Sequence, residues 1–372
     1  MRATTLSILM AVLSFVCSYS LLGVSIEAKA KLGREYAPKG PVIKCGPKAE
    51  GDILSVSQAM AQLKPGSTLI LTPGRYTTAI PITVDKVLIT GDDSGKKCDV
   101  NITVSGRDCV LRGLWIGNLI ANRDIIVVDS LFDRFISGRT IVKNESLDQY
   151  IYNTGILSVI SYLKDTKIFM KQCVVMGLLS SSPIGYDGNL RITIANSVVA
   201  SKKTVVDITE SHLTGKGKGK LTLDNCDVYG AFGLGKLGHH SEKVAFTFKE
   251  LKRLATVSIK GETIIKKPSF VIDALDPDKK YYYIKPRMFI PAGDSPKKDR
   301  GIDVDTHPIL SKYLSPLPQP PAKPVHTQPP VKPKPPTRPP EKPKTPVKPK
   351  VPPKSTEKND SGLGGIPDAP EE

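Results

Sequence analysis

The sequence lacks most of the marks that make a protein class easy to recognise. Beyond residue 24 no apolar run is long enough to cross a bilayer, so no membrane-spanning helix is expected once an N-terminal leader is gone. Long helical periodicity is scarce, which argues against a helical bundle. Of the six cysteines, Cys17 falls in the leader. Cys45, Cys98, Cys109, Cys173 and Cys226 remain, an odd number scattered over a large chain. That is not the dense disulfide framework of a small secreted domain, and no spacing among them fits a zinc site. Acid is also short: 36 Asp and Glu face 53 Lys and Arg, a formal net charge of +17. No nucleic-acid-binding motif accompanies that charge, and no nucleic-acid partner is expected.

What is present begins with export. Arg2 precedes a largely apolar run from Leu6 to Val24, after which Glu27 turns the chain polar and Ala28-Lys29-Ala30 offers a small-x-small triplet. This order reads as a signal peptide over residues 1–30 with cleavage after Ala30, the alternative being an uncleaved single-span anchor. Val16 stands before Cys17 where a lipoprotein site would want a small residue. The expected location is secreted, periplasmic or cell-surface. A basic exported protein is drawn to polyanions such as acidic polysaccharide or a phosphate-bearing envelope polymer. The plainer alternative is a lysine-rich soluble surface. Lys216, Lys218 and Lys220 form the densest basic stretch outside the tail.

Short Val/Ile/Leu runs recur between Asp52 and about Gly235, separated by Gly, Asn, Asp and Ser. Five align by hand, starting at Cys109, Ile125, Ile168, Ile192 and Leu221. Each has inward candidates at its first and third positions, a turn-prone or amide residue at the fifth and a small or apolar residue at the sixth. An earlier copy starts at Val87, and Pro81-Ile82-Thr83-Val84 aligns with Asn101-Ile102-Thr103-Val104 in a second strand. The step from Cys109 to Ile125 is short. The long step from Ile125 to Ile168 is read as a loop over Ser137 to Asn153 followed by a strand from Ile156 to Leu163.

One such coil cannot bury its own apolar face, but coils stacked in parallel share one core and complete each other's hydrogen bonds. The expected fold is therefore all-β, a right-handed parallel β-helix over residues 49–238, preferred to a β-sandwich. Turn amides at Gln172, Asn196 and Asn225, with Asp129 as an imperfect member, would stack into a ladder. Cys173 and Cys226 share the inward sixth position with Ser130 and Ser197. Two strand spacings, roughly 9.6 Å, would keep them as separate thiols. Whether Cys98 pairs with Cys109 stays open.

A short helix over Ser57–Leu63 should cap the solenoid. With the Pro65-Gly66 turn, the strand Ser67–Thr72 and the turn Pro73-Gly74-Arg75-Tyr76, it resembles the opening of the pectin-lyase-like β-helix superfamily. That resemblance covers about Asp52 to Gly235 and implies the fold. It leaves activity open, because the superfamily includes lyases, hydrolases, esterases, epimerases and binding proteins. Residues 239–313 are expected to form a C-terminal cap or small subdomain, with a helical stretch over Phe248–Leu254 and strands at Val257–Gly261 and Thr263–Ile265. Residues 314–372 are expected to be a disordered Pro/Lys-rich arm, polyproline-II-like and held open by charge.

Chemistry is harder to find. Lyases with this fold use acidic residues to hold calcium with an Arg or Lys as base, and the related hydrolases need paired carboxylates. Outward positions of the repeat (Leu88, Thr90, Val110, Arg112, Ile126, Val128, Phe169, Lys171, Thr193, Ala195, Thr222, Asp224) carry a single carboxylate. Turn residues Asp129, Asp133, Arg134, Asp187, Arg191 and Asp227, with Lys171, are the candidate catalytic set, Ca2+ being needed only for a lyase. The paired-aspartate, glycine-histidine-glycine, arginine-x-lysine and esterase signatures are all missing. His239-His240 is a poor chelate, because neighbours in an extended chain point opposite ways. No metal site or other cofactor is expected. Trp115 could stack on a sugar or pack under a loop. With Arg112, Lys216, Lys218 and Lys220 it completes the candidate ligand-binding set. The sequence thus points to a non-catalytic binder of an anionic polysaccharide or cell-envelope polymer. A lyase or hydrolase of acidic glycans and a surface adhesin are the alternatives. Oligomeric state is not encoded in any recognisable feature.

Overall fold

A computed structural model of the chain describes residues 26–138, 147–161, 166–176, 179–181, 191–209, 220–235, 243–246, 249, 257–265, 267–268, 270, 285–292 and 300–314. The chain divides into a unit ending at Leu317 and a second, Pro318–Glu372, that lies wholly outside the described residues. Also outside them are Asp187, Lys216, Lys218, His239-His240, the tail beyond Leu314 and all but Lys249 of the expected helix Phe248–Leu254.

The first unit is a parallel β-helix. Its coils feed one sheet of eleven strands and a second of twelve, and every pairing in the eleven-stranded sheet is parallel. Side chains alternate between the two faces of each strand, so one sequence position falls in the same vertical column coil after coil. The third position of the repeat gives Ile43, Leu69, Ile89, Leu111, Val127, Ile151, Met170, Ile194 and Leu223, each in register with the next. All are buried. Each such side chain is worth about 1.5–3 kcal/mol of burial, and the stack gives one continuous core.

The hand-aligned segments pair as expected, Cys109 with Ile125, Ile168 with Ile192 and Ile192 with Leu221. The short step is a genuine coil. Three expectations need correction. Leu147–Tyr152 is a strand, not part of a loop. It inserts a whole coil between Ile125 and Ile168, with Gln149 standing in their column. The following strand is Gly155–Ser161. In the second sheet Ile80 pairs with Ile102 and Ile82 with Val104, a slip of two from the expected alignment. A slip of two keeps every apolar residue inward, so the alternation could not reveal it. Finally, Val42–Cys45 and Val257–Lys260 both join the eleven-stranded sheet, carrying the solenoid past residues 49 and 238 at its two ends.

The capping helix spans Val56–Gln62, one residue earlier than expected, because Ser55 and Gln58 form a capping box. Ala59 and Leu63 seal the core beneath it. The tyrosine that ends the Pro73–Tyr76 turn donates its hydroxyl to the carbonyls of Cys45 and Thr72, both at 2.8 Å. Among the described residues no helix is long and apolar enough to cross a membrane.

Candidate functional site

The turn after seven consecutive first-sheet strands, from Cys109–Arg112 to Val257–Lys260, repeats one backbone conformation. Asp129, Asn153, Gln172, Asn196 and Asn225 have φ of 52, 48, 52, 46 and 54°. Gly113 and Gly261 extend the column at 62 and 56°. In this left-handed region a side chain costs about 1–2 kcal/mol, least for Asn and Asp, whose short polar groups bond locally. Each turn places its N–H against the next coil: Asn153 donates to the Lys171 carbonyl at 3.0 Å and Asn196 to that of Asp224 at 3.0 Å. The side chains bond as well, Asn225 Nδ2 to Asn196 Oδ1 at 3.0 Å and Asn153 Nδ2 to Asp129 Oδ1 at 2.7 Å. All four expected ladder members are in the column, together with Asn153, which closes the strand Leu147–Tyr152.

The next position also repeats a role. Ser130, Thr154 and Ser197 donate their hydroxyls to the carbonyl two residues back, at 2.8, 2.7 and 2.6 Å. The thiols of Cys173 and Cys226 do the same at 3.3 Å. All five described cysteines are free and buried, Cys98 and Cys109 included. Burial pushes the Cys98, Cys173 and Cys226 thiols up to about 12.

Two segments run along the outside of this column. Residues 300–314 pass down it in reverse order. Arg300 pairs with Asp227 and donates to Asn225 Oδ1 at 2.9 Å, Gly301 N–H reaches the Asn196 carbonyl at 2.9 Å, and Asp303 N–H reaches Asn153 Oδ1 at 2.7 Å. Lys312 then donates to the Asp93 carbonyl. Met288, Phe289, Ile302 and Leu310 form a second core with Leu131, Val174 and Val198. His307 is fully buried, and its Nδ1 accepts from the N–H groups of Ile309 and Leu310, both at 3.2 Å. Burial lowers its pKa to about 4.

The second segment, here α1, is helical over the described residues 26–35 and lies on the outer face of the first sheet. Ile26 and Ala30 are buried. Glu27 pairs with Lys171 at 2.5 Å, and Lys29 stands 5.4 Å over the ring of Tyr150, itself stacked on Phe169 at 5.0 Å. Gly33 is required by close approach: a Cβ there would lie 2.8 Å from Ile126 Cγ2 and 2.9 Å from Val128 Cγ1. Arg34 donates to both Asp129 oxygens, at 2.8 and 2.6 Å. A carboxylate therefore stands at Asp129, where later coils carry an amide, because α1 supplies the countercharge. This corrects one expectation. Leu88, Val110 and Val128 point away from the core as expected but are buried, since the outer face is covered rather than open.

The candidate carboxylates do not converge. Asp129 is a turn residue and Asp227 opens a second-sheet strand four coils further along the solenoid axis, roughly 19 Å away. Asp133 lies on the second sheet, 2.6 Å from Lys97. Asp129, Asp133 and Asp227 each have a structural cation, in Arg34, Lys97 and Arg300. Arg134 and Arg191 are exposed on different sheets, and Lys171 is taken up by Glu27. Among the described residues no three His, Cys, Asp or Glu side chains gather closely enough to hold a metal ion. Of the ligand candidates, Trp115 meets Tyr313 edge-on at 6.1 Å beneath the 300–314 segment. Arg112 donates to the carbonyls of Arg34 and, at 3.3 Å, Tyr36.

One arrangement went unseen in the sequence. The residue one before the repeat's first inward position reads Lys86, Asp108, Asp124, Asp148, Lys167, Arg191 and Lys220 down successive coils. The registers Asp148–Lys167, Lys167–Arg191 and Arg191–Lys220 place the last four in line. The acidic half borders a cavity of about 300 Å³ beneath α1, lined by Lys29, Tyr36, Asp108, Asp124 and Tyr150. Burial there raises the Asp124 pKa. The basic half is open, with Arg191 and Lys220 exposed, and Lys167 makes the junction through a 3.2 Å contact with Asp148. A wider groove of about 1070 Å³, with Arg34, Lys44, Arg112 and Lys312 in its walls, lies beside residues 306–312. No family model, curated protein or solved structure matches this chain.

Proposed function

We propose that this is an exported, non-catalytic β-helix protein that holds a linear polyanion, an acidic polysaccharide or a phosphate-bearing envelope polymer, along the Lys167–Arg191–Lys220 column. The observation that carries the reading is the register, which sets three cations one strand spacing apart along the solenoid axis. A row of like charges at fixed spacing is costly alone and is relieved by a polymer carrying the opposite charge at repeated intervals. The overall charge of +17 supports the same partner. Arg112 and Lys312 are oriented by carbonyl oxygens, which leave their charge intact, and they offer a second basic rim in the wider groove. The fold and the Ser67–Tyr76 opening are consistent with a pectin-lyase-like ancestry. The scattered, individually paired carboxylates favour binding over lyase or hydrolase chemistry.

Retention on immobilised polygalacturonate at low ionic strength tests the reading. The protein should be retained and should elute as salt screens the contacts, and Arg191→Glu with Lys220→Glu should elute at lower salt. Passage through the column at low ionic strength removes the idea.

A further inference from the structure

We propose that the leader is removed between Ser25 and Ile26, so that α1 remains on the mature protein as part of its folded body. The site rests on the export reading and differs from the cut after Ala30 that the sequence first suggests.

Packing disfavours a cut after Ala30. Such a cut would delete Ile26 and Ala30, both of them buried. It would take away Glu27, the partner of Lys171, and Lys29, the cation over Tyr150. The five residues left, 31–35, are far too few to sustain a helix. They include Gly33, which fits against Ile126 and Val128 only through its lack of a side chain, and Arg34, which neutralises the buried Asp129. A chain beginning at Lys31 would therefore expose an apolar stripe and loosen the countercharge of a buried carboxylate.

The leader offers a second site in its own sequence. Gly23-Val24-Ser25 is itself a small-x-small triplet. It follows the apolar run directly, and a cut after it keeps residues 26–35 of α1 on the mature chain. Hydrolysis of the Ser25–Ile26 peptide bond consumes one water, leaving a carboxylate on Ser25 and an α-ammonium on Ile26. The cut belongs to translocation, before folding buries Ile26.

The test is expression of the full chain with its own leader in a bacterial host with a periplasm, followed by intact mass and N-terminal sequencing of the exported protein. Ile26 should be the first residue. A start at Lys31 overturns the proposed site while leaving export standing. A full-length precursor held in the membrane, with nothing exported, overturns the export reading and the site with it. Two variants separate the triplets. Ala28 is exposed, so Ala28→Leu spoils the triplet ending at Ala30 without touching the buried face, and the Ile26 start should be unchanged. Ser25→Leu should abolish that start. Refolded chains beginning at Ile26 and at Lys31 give a second readout, in which the shorter should unfold at clearly lower urea. Equal midpoints would show that α1 is no part of the folded body and would overturn the proposal.

Discussion

The backbone N–H of Asp303 donates to Oδ1 of Asn153 at 2.7 Å, across 150 residues of sequence. The other end of the same amide donates to Asp129, which Arg34 holds from the opposite side. One buried side chain therefore ties a solenoid turn to the 300–314 segment directly and to α1 through a single carboxylate.

Asn153→Ala should cost about 3 kcal/mol: roughly 1 for each of two buried hydrogen bonds and about 1 for a side chain less suited to positive φ. Asn153→Gly relieves the backbone share only, so it should fall about 1 kcal/mol short of that loss. Urea unfolding of the two variants separates the contributions. Equal and negligible losses would mean that the turn column is not holding the segments together.

Arg34 and Asp129 should be coupled. Arg34→Ala leaves a largely buried carboxylate with only Asn153 as donor and should cost about 2 kcal/mol, less than a fully buried pair because Arg34 is partly exposed. Adding Asp129→Asn restores the residue type found in this column at Asn153, Asn196 and Asn225, and it should recover most of the loss. A double-mutant cycle on unfolding free energy measures the coupling; additive losses would contradict it.

His307 makes stability pH-dependent. Burial lowers its folded pKa to about 4, below the ordinary value near 6.5. The unfolded chain therefore binds a proton first as pH falls. The stabilisation from neutral His307 is complete above about pH 6.5 and lost progressively toward pH 4, a range worth about 3 kcal/mol. Comparing unfolding at pH 7.5 and 4.5 for the native chain and His307→Asn should show a smaller acid loss in the variant, since Asn can still accept from the Ile309 and Leu310 amides.

The five described cysteines should resist thiol reagents in the native state and react on unfolding, because burial keeps them protonated. Cys173→Ser should cost under about 1 kcal/mol, since Ser130 and Ser197 fill the same column and make the same turn-closing bond. Cys173→Val loses that bond and should cost about 1 kcal/mol more. A thiol titration and two unfolding curves check this.

The solenoid was legible because its core repeats: Ile168, Ile192 and Leu221 announce one column by themselves. The coil at Leu147–Tyr152 was missed because Gln149 interrupts that column with a buried amide, and Asn153 was lost with it. The slip at Ile80–Ile82 reflects a period of two, which makes neighbouring registers equally apolar. Helix α1 was hidden by its position beside an apolar leader, where Ala28 and Ala30 read as a processing signal. The 300–314 segment follows no period at all; its residues answer to a column of turns far away in sequence. The charged column needed the true register before Lys167, Arg191 and Lys220 could be seen to align.

The most direct test of the account is how binding depends on polymer length. Three cations in register should reward a ligand that engages them together. Affinity should therefore climb from galacturonate monomer through short oligomers, and Arg191→Glu with Lys220→Glu should abolish that climb. Reversing the exposed Lys39 and Lys48 changes net charge equally and should leave it intact. Monomer competing as well as polymer per uronate, or an equal effect from the control reversal, would contradict the account.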